Sequence, residues 1–143
     1  ITVIVDGAWS KRSYKNGRYD ALSGFATIIG LRTGRVLYCG MRNKYCSFCA
    51  SSLKRGLEKP PDHLCFKNYA RNDPSTRMEA DIIVEGFTKS INSHGLIYKS
   101  FIGDGDSSVH QSIVNNDPYK EYGIGVEKIE CKNHLFRNFC RHI

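Results

Sequence analysis

The stretch "TRMEADIIVEGFTKSINSHG", residues 76–95, decides which fold the rest of the chain can adopt. Five apolar side chains recur in it at helical spacing and share one face: Met78, Ile82, Ile83, Phe87 and Ile91. Gly95 follows the last turn, and glycine is the residue that most often ends a helix. A long amphipathic helix between two groups of strands is the usual crossover that makes two strands of one sheet parallel.

Three strands are predicted before this helix. The β-branched run "ITVIVDG" (1–7) is typical of a buried strand that ends in Asp-Gly. The segments "ALSGFATIIGLR" (21–32) and "GRVLYCGM" (34–41) are joined at Thr33-Gly34, which predicts a β-hairpin. The first three strands therefore form an antiparallel meander.

Two further strands and two short helices are predicted after it. "LIYKSFIGD" (96–104) and "GIGVEKIEC" (123–131) are the strands, and "SSVHQSIVNN" (107–116) is the helix between them. "HLFRNFCRH" (134–142) begins another helix. The expected fold is α/β, with a mixed five-stranded sheet of three antiparallel strands followed by parallel additions, and flanking helices.

The first and fourth strands each end in an aspartate, Asp6 and Asp104. If these strands are parallel neighbours, both carboxylates lie at the edge where open α/β sheets collect ligands. Two adjacent carboxylates repel each other unless a cation lies between them, and Mg²⁺ prefers such oxygen ligands. Either aspartate alone could merely begin a turn, but together they favour a metal site. Asp106 competes with Asp104, and it could equally cap the helix that starts at Ser107.

Glu79 has two interpretations. Thr76 and Glu79 have the spacing of a helix capping box, in which Ser75 could share the capping role. Alternatively, Glu79 lies near the metal, presented by the first turn towards the strand-end aspartates. We favour a position near the metal, as a helper and not an essential ligand.

Between residues 43 and 74 the periodicity disappears, and such a long irregular segment needs something to organise it. Four soft ligands occur there: Cys46, Cys49, His63 and Cys65. They suffice for one structural, tetrahedral Zn²⁺, although the His-x-Cys pair is tighter than usual. The alternative is four reduced, partly buried residues. A second set, Cys131, His134, Cys140 and His142, is a weaker candidate for zinc.

The composition indicates which classes of binding partner to expect. No apolar run approaches the roughly 20 residues needed to span a bilayer, so no membrane partner is expected. The formal charge of +7 favours an anionic partner such as nucleic acid. Four cations in the first loop could follow a DNA backbone or simply be solvated: Lys11, Arg12, Lys15 and Arg18. The cations of the 43–74 segment have the same ambiguity: Lys44, Lys54, Arg55 and Lys67.

Several motifs together resemble a known family. They are "VDGAWSKR", "SGFATIIGLRTGRVL", "KYCSFC", "DHLC", "NYARNDPSTRME", "YKSFIGDGDSS" and "VEKIECKNH". In order and spacing they resemble the Mutator-like (and related Kolobok-like) DDE transposase domain, over about the whole chain. Asp6, Glu79 and Asp104 are also similar to the acids of a ribonuclease H-like fold.

The resemblance implies a role for several residues. Asp6 and Asp104 would be the first two acids of the DDE set, holding Mg²⁺ or Mn²⁺. The family's third acid follows a Cys-x2-His motif, which "CKNH" matches with Cys131 and His134; these two would help order the last strand and its helix. Because no glutamate follows Glu130, we expect residues 1–143 to be one catalytic core cut before the third acid, with 43–74 as a zinc-binding insertion.

The resemblance implies a DNA transposase catalytic core, or a domesticated derivative, that cleaves phosphodiesters and transfers strands at transposon ends. Its partners would be transposon-end and target DNA and further copies of itself, in the nucleus. One alternative is a ribonuclease H-type nuclease that uses Asp6, Glu79 and Asp104. A second alternative is a catalytically silent DNA-binding or interaction module.

Overall fold

The computed structural model describes residues 1–10, 21–104 and 107–132. Within them lie five strands: β1 (Thr2–Trp9), β2 (Ser23–Gly30), β3 (Val36–Asn43), β4 (Ser100–Gly103) and β5 (Glu127–Glu130). The α-helices are α1 (Ser47–Lys54), α2 (Met78–His94) and α3 (Ser107–Asn116). Two 3₁₀ turns, Ser75–Arg77 and Lys120–Tyr122, precede α2 and β5.

The strands form one sheet in the order β3-β2-β1-β4-β5. β1, β2 and β3 are antiparallel neighbours, whereas β4 is parallel to β1 and β5 is parallel to β4. The predicted mixed sheet, with three antiparallel strands followed by parallel additions, is confirmed. The β2–β3 turn contains Gly34 with a positive φ of 63°, and Gly30 N–H donates to Arg35 O across it at 2.9 Å.

Helix α2 is the predicted crossover. Met78, Ile82, Ile83 and Phe87 are each fully buried against the sheet, as the helical spacing predicted. Gly95 ends the helix in the left-handed conformation, and its N–H donates to Ile91 O at 2.7 Å. α2 also approaches the sheet very closely. A Cβ added to Gly86 would lie only 2.5 Å from Cδ1 of Ile28.

Four elements differ from expectation. β1 does not end at Asp6 but continues to Trp9, because β2 pairs with it as far as Trp9↔Gly24. The eight-residue helix α1 lies inside the segment that shows no periodicity. β4 and β5 are also shorter than the predicted strands, since only four residues of each pair with a neighbour. Among the described residues, no helix is long and apolar enough to cross a membrane.

Candidate active site and Cys/His cluster

Asp6 lies on β1 and Asp104 directly follows β4, and these two strands are parallel neighbours. The β1–β4 register pairs Thr2 with Ser100 and ends at Ile4 with Ile102, and Asp6 and Asp104 each come two residues after this last pair. Both aspartates are exposed. The strand order and register are those that the predicted juxtaposition requires, although Asp6 lies within its strand and only Asp104 follows the end of one.

Cys131 directly follows β5, the strand next to β4. The β4–β5 register pairs Gly103 with Glu130, and Cys131 N–H donates to Gly103 O at 3.1 Å. Cys131 is therefore level with Asp104 at the edge of the sheet.

Glu79 lies against β1 at the residue that follows Asp6. A Cβ on Gly7 would lie 2.6 Å from Cδ and 2.9 Å from Oε2 of Glu79, so the carboxylate fits there only because residue 7 is a glycine. Since side chains alternate along a strand, Asp6 leaves β1 on the face opposite α2. The structure thus brings Glu79 to the same part of β1 as Asp6, but from the other side of the sheet.

The helix start is tied to distant parts of the chain. Thr76 lies within the 3₁₀ turn, α2 begins after Arg77, and the cap positions Pro74 and Arg77 make no side-chain cap hydrogen bond. Ser75 is buried, and its hydroxyl accepts a hydrogen bond from Ala21 N–H at 3.2 Å. Its carbonyl accepts one from Trp9 Nε1 at 3.1 Å. These hydrogen bonds join the helix start to β1 and to the residues just before β2.

Some predicted site residues lie outside the described part of the chain. They are Asp106, His134, Lys11, Arg12, Lys15 and Arg18, together with Cys140 and His142 of the weaker second set.

The four predicted soft ligands converge. Among the described residues, Cys46, Cys49, His63 and Cys65 are the only group of three or more His, Cys, Asp or Glu that can hold a metal ion, and their ligand atoms all lie within 4.8 Å of one another. The distances from His63 Nε2 are 3.3 Å to Cys46 Sγ and 3.4 Å to Cys49 Sγ. Cys49 and Cys65 have their sulfurs 3.8 Å apart.

These spacings fit a tetrahedral zinc ion. Zn–S bonds of about 2.3 Å and Zn–N bonds of about 2.0–2.1 Å give tetrahedral edges of about 3.8 Å between sulfurs and about 3.5 Å between sulfur and nitrogen. The measured S–S and S–N distances are close to these values. His63 is also oriented for it, because Nδ1 donates to Pro61 O at 2.8 Å and leaves Nε2 free to face the sulfurs. The cluster can therefore hold a metal such as zinc.

The protein environment favours thiolate at two of the three cysteines. Cys46 lies at the N-terminus of α1. The pKa of the Cys46 thiol is lowered to about 6, mainly by the backbone N–H of Cys49, although no conventional capping hydrogen bond forms. The backbone of Lys67 likewise lowers the pKa of Cys65. Burial raises the pKa of Cys49. Because metals bind the thiolate, this environment favours metal binding at Cys46 and Cys65.

A pair of asparagines joins the Cys/His segment to the sheet, and no sequence pattern indicated this contact. Asn43, the last residue of β3, donates from its N–H to Asn68 Oδ1 at 2.7 Å. Asn68 donates in turn to Met41 O at 2.8 Å, and its N–H to Asn43 O at 3.0 Å. Both ends of the segment that carries the cluster are thus fixed at the same end of β3.

Comparison with known proteins identifies the family of the chain. The family model for Mutator-like transposases matches residues 1–143. The chain belongs to the Mutator-like transposase family, which supports a transposase-related, nuclease-type function and binding to DNA. Among curated proteins, no sequence match to the chain was found.

Proposed function

We propose that this chain is the catalytic core of a DNA transposase with a ribonuclease H-like fold, which cleaves phosphodiester bonds and transfers strands at transposon ends. One observation carries the proposal: in a chain of this family, Asp6 and Asp104 each lie two residues beyond Ile4 and Ile102, the last pair of the parallel β1–β4 register. We also propose that residues 1–143 are a single core, with 43–74 as an insertion.

The donor chemistry of this edge fits Mg²⁺ or Mn²⁺. Asp6 and Asp104 are exposed carboxylates, one on β1 and one directly after its parallel neighbour β4. Mg²⁺ is commonly held by one or two carboxylates, with water and substrate phosphates completing its shell. When bound, such ions supply an activated nucleophile and stabilise the leaving oxygen.

The protein residues would act mainly by positioning. Asp6 and Asp104 would hold the ions at the open edge, where a DNA phosphate has access. Glu79, on the other side of β1, would act as a helper, because its position over Gly7 keeps a negative charge near Asp6. Cys131 would steady the end of β5 beside Asp104.

Zinc in the Cys46, Cys49, His63 and Cys65 cluster would be structural. Four protein ligands leave no open position for a reacting group. The ion would fix α1 and the following loop to the end of β3, in addition to the Asn43–Asn68 hydrogen bonds.

The position of Glu79 favours a second candidate, a ribonuclease H-type nuclease that uses Asp6, Glu79 and Asp104 as its acid set. The Glu79 carboxylate lies directly over the residue after Asp6. In this case Glu79 would be a required metal ligand and not a helper.

Metal-dependent cleavage of labelled DNA tests the proposal. Asp6→Asn and Asp104→Asn should each lower the rate by about 100-fold or more, as removal of a group that stabilises transition-state charge does. Asp117→Asn makes the same chemical change in a left-handed turn that asparagine tolerates well, and should cleave like the wild type. Wild-type rates in both aspartate variants would exclude the proposed site.

Two further proposals concern the setting of this activity. We expect the protein to act on DNA as a homo-oligomer and to reside in the nucleus. Sedimentation of the DNA complex tests the first, and a monomeric complex would contradict it. Fluorescence imaging of the tagged protein in its native cells tests the second.

A further inference from the structure

A groove of about 540 Å³ lies between α1 and the segment that follows the Cys/His cluster. Its walls are mainly apolar and aromatic, and two cations lie among the residues after the cluster. The residues that matter here are Leu22, Tyr45, Leu53, Lys67, Tyr69 and Arg71. The groove is large enough for one nucleotide, since small-molecule sites range from about 300 to 1,000 Å³.

The walls of the groove expose aromatic and aliphatic surface. Tyr45 is 49% exposed and Leu53 is 66% exposed. The surrounding segment is basic, with six lysines and arginines against two carboxylates between residues 44 and 71. Apolar walls beside a basic surface fit a partner that carries both flat bases and negative charge, which is the chemistry of a DNA strand.

The backbones of the two groove tyrosines are held in position by hydrogen bonds. Asn43 Oδ1 accepts from Tyr45 N–H at 3.1 Å, and Asn43 Nδ2 donates to Tyr45 O at 2.9 Å. Tyr69 N–H donates to Asn43 O at 3.2 Å, and the Tyr69 hydroxyl donates to Pro74 O at 3.3 Å. The Lys44 ammonium lies over the Tyr69 ring, 5.9 Å from its centroid. Because the backbone of Tyr45 is fixed before any ligand arrives, stacking on its exposed ring requires ordering of the side chain only.

The groove lies at the same edge of the sheet as the aspartates. Asp6 pairs with Thr27 of β2, and Leu22 precedes the first residue of that strand. At about 3.4 Å per residue, the five residues from Thr27 to Leu22 span roughly 17 Å along the strand. Because DNA has one phosphate per about 3.4 Å on each strand, this length equals about five nucleotides.

We propose that this groove binds DNA about five nucleotides from the reacting phosphate, with an unpaired base stacked on Tyr45 and a backbone phosphate at Arg71. The inference rests on the proposed function, because it takes DNA as the substrate. The groove would thus favour DNA that is distorted or single-stranded near the cleavage position over a continuous duplex.

Fluorescence anisotropy of the chain with labelled DNA tests this, with one equivalent of Zn²⁺ and no Mg²⁺ so that binding is measured without cleavage. The probes are a duplex and the same duplex with a short single-stranded tail. Arg71→Ala should weaken binding to both several-fold and reduce the slope of log K against log salt by about 0.7 to 0.9, the loss of one phosphate contact. Tyr45→Ala should weaken binding to the tailed DNA by about 5-fold or more and abolish the preference for it.

Matched controls lie at the opposite edge of the sheet. Arg32→Ala removes a charge from the β2–β3 turn, and Tyr122→Ala removes a tyrosine that is 53% exposed. Both should bind like the wild type. Lys67 is left intact because it interacts with the Cys49 thiol, so that its loss would also disturb the cluster. The zinc content and melting temperature of each variant show that it is folded.

The outcomes separate the two proposals. If the wild type binds neither DNA, the proposed function fails and the groove proposal fails with it. If the wild type binds DNA and the Arg71 and Tyr45 variants bind equally well, only the groove proposal is wrong. If those variants instead change the oligomeric state in sedimentation without changing DNA affinity, the groove is a protein contact and the DNA proposal is overturned.

Discussion

The Glu79 carboxylate occupies the space that a side chain on Gly7 would fill. An added Cβ would lie 2.6 Å from Cδ and 2.7 Å from Cγ of Glu79. This contact joins the first turn of α2 to the middle of β1, one residue from Asp6. It makes the position of an acid on the helix dependent on a glycine in the strand.

Gly7→Ala should destabilise the protein by about 1–3 kcal/mol, because the new methyl group overpacks against Glu79. In a Glu79→Ala background the same change should cost less than about 1 kcal/mol, which gives a coupling energy within the range of about 0.5–3 kcal/mol seen for contacting residues. Urea denaturation of the four proteins measures the cycle. Gly125→Ala is the control, since nothing lies within 4 Å of a Cβ there. Additive effects of the two changes would mean that the contact does not constrain Glu79.

Cleavage rates distinguish the two acid sets. If Glu79 is a helper, Glu79→Gln should lower metal-dependent cleavage by about 10-fold, less than the 100-fold or greater loss expected for Asp104→Asn. Glu85→Gln, two turns further along α2, makes the same chemical change away from the edge and should retain the wild-type rate. A loss at Glu79 as complete as that at Asp104 would establish the ribonuclease H-type set and contradict the helper role.

The elements that the sequence predicted well are those with a strong period or a strong local rule. α2 repeats its apolar residues at helical spacing and ends at Gly95, and the crossover rule then makes β4 parallel to β1. The expected Asp6–Asp104 juxtaposition rests on these two facts alone. The Cys/His cluster was predictable because Cys46-x2-Cys49 is a characteristic ligand spacing.

The other features depend on contacts between distant segments. β1 extends beyond Asp6 because β2 supplies its hydrogen-bond partners, as in Ser10 N–H to Ser23 O at 2.9 Å. The Glu79 carboxylate lies over Gly7 because of how closely α2 approaches β1, which the spacing of Thr76 and Glu79 does not encode. The hydrogen bonds between Asn43 and Asn68 join residues 25 positions apart and leave no local pattern.

Purified protein should contain about one Zn²⁺ per chain, because the cluster supplies four converging ligands. Cys49→Ser should reduce the zinc content to near zero and lower the melting temperature, since metal binding energy stabilises the fold. Elemental analysis and thermal unfolding measure both effects. Cys39→Ser removes an exposed free thiol on β3 and should change neither. Zinc retained in full by Cys49→Ser would contradict the assigned ligand set.

Glu85 should make the stability of the α2–β3 contact dependent on pH. Its pKa is lowered to about 2, first by Lys89 and then by Arg42, whose Nη2 lies 2.7 Å from Oε2 of Glu85. Because the folded pKa is below the unfolded value of about 4.5, the stabilisation is complete above pH 4.5 and is lost as the pH falls towards 2.

The difference in unfolding free energy between the wild type and Glu85→Gln should therefore be constant at roughly 1–2 kcal/mol above pH 5, with allowance for solvent screening. It should then shrink steadily at lower pH. Taking the difference between two proteins removes the effect of acid on the Cys/His cluster, which both share. A difference that stays constant down to pH 2.5 would mean that the Arg42 and Lys89 contacts do not stabilise the ionised form of Glu85.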